Sequence, residues 1–217
     1  MKPGLTAFLL LAATFLPLLS AAPGARGEPR ALVIVALGDS LSAGLGLPQS
    51  EAFPAQLQAA LKARGRDVTV IDAGVSGDTA SAAALRLDWA LPENADAVIV
   101  ELGGNDALQG IPPEGTKAAL AKIIEAVQAK GLPVLLAGQE APRNMGKDYV
   151  EAFSAIFRDL AARYDVIFYP FFLDGVALND ALMQPDGMHP NAKGVARIVE
   201  LILPKVEELL AKVATKG

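Results

Sequence analysis

The sequence predicts an α/β fold, a three-layer α/β/α sandwich around a five-stranded parallel sheet, and three observations predict it. Five short apolar runs rich in β-branched residues alternate with five longer segments whose apolar residues recur every three or four positions. The runs are nearly continuous rather than alternating, which is how strands covered on both faces read. Polar, glycine-rich stretches follow the first three runs and precede the last helical segment, and a parallel sheet gathers such loops at its carboxyl edge.

The first segment is set apart from this pattern. Lys2 precedes the apolar stretch Leu5 to Leu19, which ends in Ser20, Ala21 and Ala22, the layout of a secretory signal. An uncleaved anchor is the alternative, and Pro17 together with the limited length of the stretch argues for removal. Pro23 makes cleavage after Ala22 awkward, and Ala25-Arg26-Gly27 offers a second site, so residues 1–27 are assigned as signal peptide and 28–217 as one domain. Removal of Lys2 and Arg26 leaves 17 basic against 24 acidic residues, a formal charge of −7. No basic patch suggests nucleic acid, and no stable membrane insertion is expected after processing. The chain has no cysteine, hence no disulfide, thiolate metal site or lipid-bearing thiol. Export to a bacterial periplasm or the medium is the expectation, and the sequence does not specify an oligomeric state.

In chain order, the expected strands are Leu32 to Leu37, Val68 to Ala73, Ala97 to Leu102, Pro133 to Ala137 and Val166 to Tyr169. Between and after them, helices are expected over Phe53 to Arg64, Ala80 to Leu91, Lys117 to Lys130, Lys147 to Arg163 and Ala192 to Val213. Gly65 and Gly131 follow the ends of two of these helices, where a left-handed residue commonly stops one. The first strand runs into Gly38-Asp39-Ser40-Leu41-Ser42 and then a helix, which lifts the Ser40 hydroxyl to the rim of the sheet beside unpaired helix-start amides. Such a turn is also ordinary capping chemistry.

His189, the single histidine, must serve any serine-histidine chemistry. Asp186 stands three residues before it across Gly187, close enough to accept from Nδ1 and leave Nε2 free to take a serine proton. Asp186 as a helix cap or turn residue remains open. Gly77 offers an unobstructed amide and Asn105 a carboxamide toward a developing oxyanion, with the Ser40 amide as a third donor; each is equally readable as a turn residue.

Gly38-Asp39-Ser40-Leu41-Ser42, Ser76-Gly77-Asp78-Thr79, Gly103-Gly104-Asn105-Asp106 and Asp186-Gly187-Met188-His189-Pro190 resemble the ordered blocks of the GDSL/SGNH hydrolases. Within them the chain looks most like the bacterial periplasmic arylesterase, thioesterase I and lysophospholipase group, over essentially the whole mature chain. The resemblance implies a flavodoxin-like sheet and a serine esterase acting on acyl esters or thioesters, small-molecule or lipid, through an acyl-enzyme without cofactor or metal. It also implies that Ser40 is the nucleophile, His189 the base, Asp186 its orienting partner, and Ser40, Gly77 and Asn105 the oxyanion hole. The loop Ala107 to Pro113 would cover the acyl chain with Leu108 and Ile111. A carbohydrate O-deacetylase of the same superfamily and a non-catalytic binding protein using the same cleft are the alternatives.

Other motifs fall short. Gly110 to Lys117 has the lysine and threonine of a phosphate loop in reversed order, and two prolines remove amide donors. Gly44-Leu45-Gly46 lacks the third glycine of a dinucleotide fingerprint, and Ser76 is a rival nucleophile whose elbow lacks its last glycine.

Overall fold

In a computed structural model, which describes Met1 and residues 30–215, the sheet is built from β1 (Leu32–Gly38), β2 (Val68–Gly74), β3 (Ala97–Glu101), β4 (Val134–Ala137) and β5 (Ile167–Tyr169). All are parallel, in the order β2-β1-β3-β4-β5. The expected signal peptide lies outside the described residues.

The helices are α1 (Ser40–Ala43), α2 (Phe53–Ala63), α3 (Ala80–Leu85), α4 (Leu87–Ala90), α5 (Gly104–Leu108), α6 (Pro113–Ala129), α7 (Lys147–Tyr164) and α8 (Ala192–Ala214). Strand side chains alternate between the two faces. Ile34, Ala36 and Ile99 pack toward α2 and α8, while Val35, Leu37, Val98 and Val100 pack toward α3, α6 and α7. Both faces are therefore covered, the condition under which continuous apolar strands are stable.

Two departures from the expected elements have local causes. The helix expected over Ala80 to Leu91 is broken at Arg86, whose Nε donates to Asp78 Oδ2 at 2.6 Å and whose Nη2 donates to the Gly38 carbonyl at 3.1 Å. That tie draws the residue out of helical register toward the end of β1. The next helix starts at Pro113 rather than Lys117, because proline's fixed φ suits a first turn and its missing N–H costs nothing there. Pro133 lies just outside β4.

The chain passes from β1 to β2 on one side and then crosses to β3 on the other, so strand order reverses between β1 and β3. Ligands in open α/β sheets bind outside the carboxyl ends of the strands at such a point. Gly38, Gly74 and Glu101 stand level there in the register.

Candidate active site

β1 delivers Ser40 as the first residue of α1, a helix that begins where the strand ends. Asp39 caps it: Oδ1 accepts the Leu41 amide at 3.0 Å. Gly38 is required by close approach, since a Cβ there would stand 2.1 Å from Ser42 Oγ and 2.7 Å from Glu101 Oε2.

His189 comes from the segment before α8. Its Nε2 is 3.0 Å from Ser40 Oγ and its Nδ1 is 2.6 Å from Asp186 Oδ2. The consistent proton arrangement has Nδ1–H donating to the carboxylate and Ser40 Oγ–H donating to Nε2. Asp186 Oδ1 also accepts the amides of Met188 at 2.9 Å and His189 at 3.0 Å. The hydrogen bond from the His189 side chain, then those from the two amides, hold the Asp186 carboxyl down at about 2. Capping of α8, the role left open for Asp186, belongs to Asn191, whose Oδ1 accepts the amides of Lys193 and Gly194. The segment is closed by the Met183–Pro190 bridge and by the Gln184 amide donating to the His189 carbonyl at 2.8 Å.

The three expected oxyanion donors converge on the same place. The Ser40 amide opens α1, where no helical carbonyl takes it. Gly77 has a φ of 89° and lines the cavity beside Ser40. Asn105, on α5, lines it too, and its Nδ2 donates to Asp39 Oδ2 at 3.0 Å and to the Asp78 carbonyl at 2.9 Å. That carboxamide is thereby fixed in orientation from two sides. Ser76, the rival nucleophile, lines the cavity but has no hydrogen bond to His189, whose ring nitrogens meet Asp186 and Ser40.

Beneath the serine lies a buried polar layer that single-residue patterns do not announce. Glu101, fully buried, accepts Ser42 Oγ at 2.8 Å on Oε2 and Gln139 Nε2 at 2.6 Å on Oε1. Burial and the neighbouring Asp39 charge push the Glu101 carboxyl well up, and burial raises Asp39 to about 6 against the pull of the Leu41 amide and His189. The sequence carries one signal for this layer: a glutamate inside the apolar run Ala97-Val98-Ile99-Val100-Glu101-Leu102, where an ionisable group needs partners.

The cavity over Ser40 holds about 400 Å³. Leu45, Leu108, Leu173, Leu178 and Met188 supply much of its apolar wall. Leu178 holds a left-handed φ of 64° while 89% exposed at the rim. Of the two residues expected to meet an acyl group, Leu108 lines this cavity and Ile111 does not. The Ile111 carbonyl instead accepts Tyr149 Oη at 2.8 Å, its amide donates to the Asp106 carbonyl, and its Cγ2 lies against Gly115. Among the described residues no group of three histidine, cysteine or carboxylate side chains is placed to hold a metal ion.

Comparison with known proteins agrees with this fold. A sequence profile described as the GDSL-like lipase/acylhydrolase family matches residues 36–197. The chain is 39% identical over 184 residues to esterase TesA of Pseudomonas aeruginosa, covering 84% of this chain and 92% of that one. It is 38% identical over 178 residues to thioesterase 1/protease 1/lysophospholipase L1 of Escherichia coli strain K12, covering 82% and 84%. A crystal structure of TesA superposes with a TM-score of 0.78 at 39% identity, covering 82% of this chain and 99% of that one. With the ordered blocks, the sheet and the profile in agreement, the chain belongs to the GDSL-like lipase/acylhydrolase family.

Proposed function

We propose that the protein is a serine ester hydrolase in which Ser40, His189 and Asp186 act as a triad on acyl esters or thioesters. The observation that carries this reading is the unbroken chain of contacts Ser40 Oγ, His189 Nε2, His189 Nδ1, Asp186 Oδ2 at the floor of an apolar cavity. Ser40 Oγ attacks the ester carbonyl as its proton passes to Nε2, and Asp186 stabilises the imidazolium and keeps its tautomer. Charge develops on the former carbonyl oxygen, and the amides of Ser40 and Gly77 with Asn105 Nδ2 receive it. The tetrahedral species collapses to an acyl-serine as Nε2 returns the proton to the leaving oxygen or sulfur. Water, deprotonated by the same nitrogen, then releases the carboxylic acid and restores Ser40.

Asn105 is already held by Asp39 and the Asp78 carbonyl. It need not reorganise to face an oxyanion, although it must share a hydrogen with one of those acceptors. The apolar wall favours an acyl chain, in keeping with relatives named esterase and thioesterase/lysophospholipase. Residues 1–27 serve as an export signal in this reading, and 28–217 act as one domain in the periplasm or medium.

The test is the initial rate of p-nitrophenyl butyrate hydrolysis by the processed protein beside Ser40→Ala. The wild type should turn over, and the variant should fall below about a thousandth of that rate with its circular dichroism unchanged. Activity retained in the variant would place the nucleophile elsewhere.

A further inference from the structure

The charges around the catalytic cavity are of one sign. Asp39 and Glu140 line it, and Asp186 stands behind His189. No lysine or arginine is among the lining residues; Arg143, the nearest basic residue in sequence to Glu140, lies outside them. The nearby cation that does approach, Arg86, is taken by Asp78 at 2.6 Å.

Glu140 differs from the other carboxylates. Asp39 is committed to Leu41 and Asn105, and Asp186 to His189. Glu140 is exposed and makes no ion pair or hydrogen bond among the described residues. Its backbone is nonetheless fixed. The preceding Gln139 is buried against Glu101, and Gly138 exchanges hydrogen bonds with the backbone around Tyr169 and Phe172. A low-dielectric cleft lined by one sign of charge concentrates its field on whatever enters. The uncompensated member of this set is therefore presented to the substrate.

We propose that Glu140 makes the catalytic cavity select substrates by charge, favouring esters and thioesters with cationic or neutral leaving groups over polyanionic ones such as coenzyme A thioesters. This rests on the serine esterase reading above and narrows its substrate class. The chemistry at Ser40 is the same for both classes. What differs is the cost of bringing a second negative group to Glu140 before the acyl carbonyl reaches Ser40.

The experiment compares S-butyrylthiocholine with butyryl-coenzyme A, which share an acyl group and release a thiol. A thiol-reactive chromophore reads both without background, because the chain has no cysteine. Hydrolysis of p-nitrophenyl butyrate is measured first; its absence would bring down the esterase reading and the proposal together. With that activity in hand, kcat/KM at low ionic strength should favour the choline thioester by about tenfold or more. The ratio should shrink toward 1 M salt, where the screening length is only about 3 Å. Glu140→Gln, which removes one exposed charge, should lower the ratio about two- to fivefold, and Glu140→Lys should lower it further. Preference for the coenzyme A thioester at low salt, or a ratio that neither salt nor Glu140→Lys moves, overturns the proposal while leaving the esterase reading intact.

Discussion

Asn105 carries two demands on one carboxamide: Nδ2 is held by Asp39 and the Asp78 carbonyl, and the same atom is the side-chain donor available to an oxyanion. Asn105→Ala should therefore lower kcat for p-nitrophenyl butyrate by about 10²–10³ with little change in KM. An unchanged kcat removes Asn105 from the reaction. Gly38 sets a steric condition rather than a chemical one. Gly38→Ala would press a methyl into Ser42 Oγ and Glu101 Oε2, so it should destabilise by about 1–3 kcal/mol in urea unfolding. Residues of this kind were unequally legible. That Ser40, His189 and Asp186 come together could be expected because the chain has one histidine, with an aspartate three residues before it and a Gly-Asp-Ser turn after a strand. Glu101 and Gln139 could not be paired from sequence, since their contact joins the end of β3 to the loop after β4, 38 positions apart. Ile111 looked like a cavity residue because it is apolar and near Leu108, but its carbonyl accepts Tyr149 Oη of α7 and its Cγ2 lies against Gly115 of α6.

At the scale of elements, helical periodicity located the four long helices α2, α6, α7 and α8, because each must bury one stripe against the sheet. It did not locate the break at Arg86, which depends on Asp78 and Gly38 rather than on any apolar spacing. The short helices α1 and α5 were likewise invisible to periodicity, being one turn each at the carboxyl edge. The start of α8 matters more than its length suggests. Asn191 caps it, and Asn191 Nδ2 also donates to the carbonyls of Ala181 and Met183, so the cap ties the helix to the segment that carries His189. Asn191→Ala should cost about 1 kcal/mol in chemical denaturation and should also reduce kcat. A stability loss with full kcat would show that the cap does not position His189.

At the scale of the whole molecule, the sandwich and its parallel sheet were readable from local pattern, whereas the strand order entered through family resemblance. Periodicity carries no information on which strand lies beside which. The buried Asp39 gives the fold a pH dependence of definite sign. Its carboxyl, near 3.9 in an unfolded chain, is raised to about 6 by burial in the folded one. The folded state therefore binds the extra proton between those values. Asp39's contribution to stability is complete below about 3.9 and is lost as pH rises through about 6. Asp186, held at about 2, works in the opposite sense: its contribution is present above about 3.9 and is lost as pH falls toward 2. Scanning calorimetry should find Tm rising as pH is lowered from 7.5 to about 5 and falling below about 4. Asp39→Asn should flatten the upper part of that curve, and an unaltered slope would count against Asp39 as its source. The separation of 149 positions between Ser40 and His189 also imposes an order on biosynthesis. In the proposed triad the nucleophile leaves the ribosome long before the base, and the base directly precedes α8, the helix that closes one face of the sheet. On that reading a nascent or truncated chain has Ser40 without its proton acceptor, and hydrolytic competence arrives only with the completed fold.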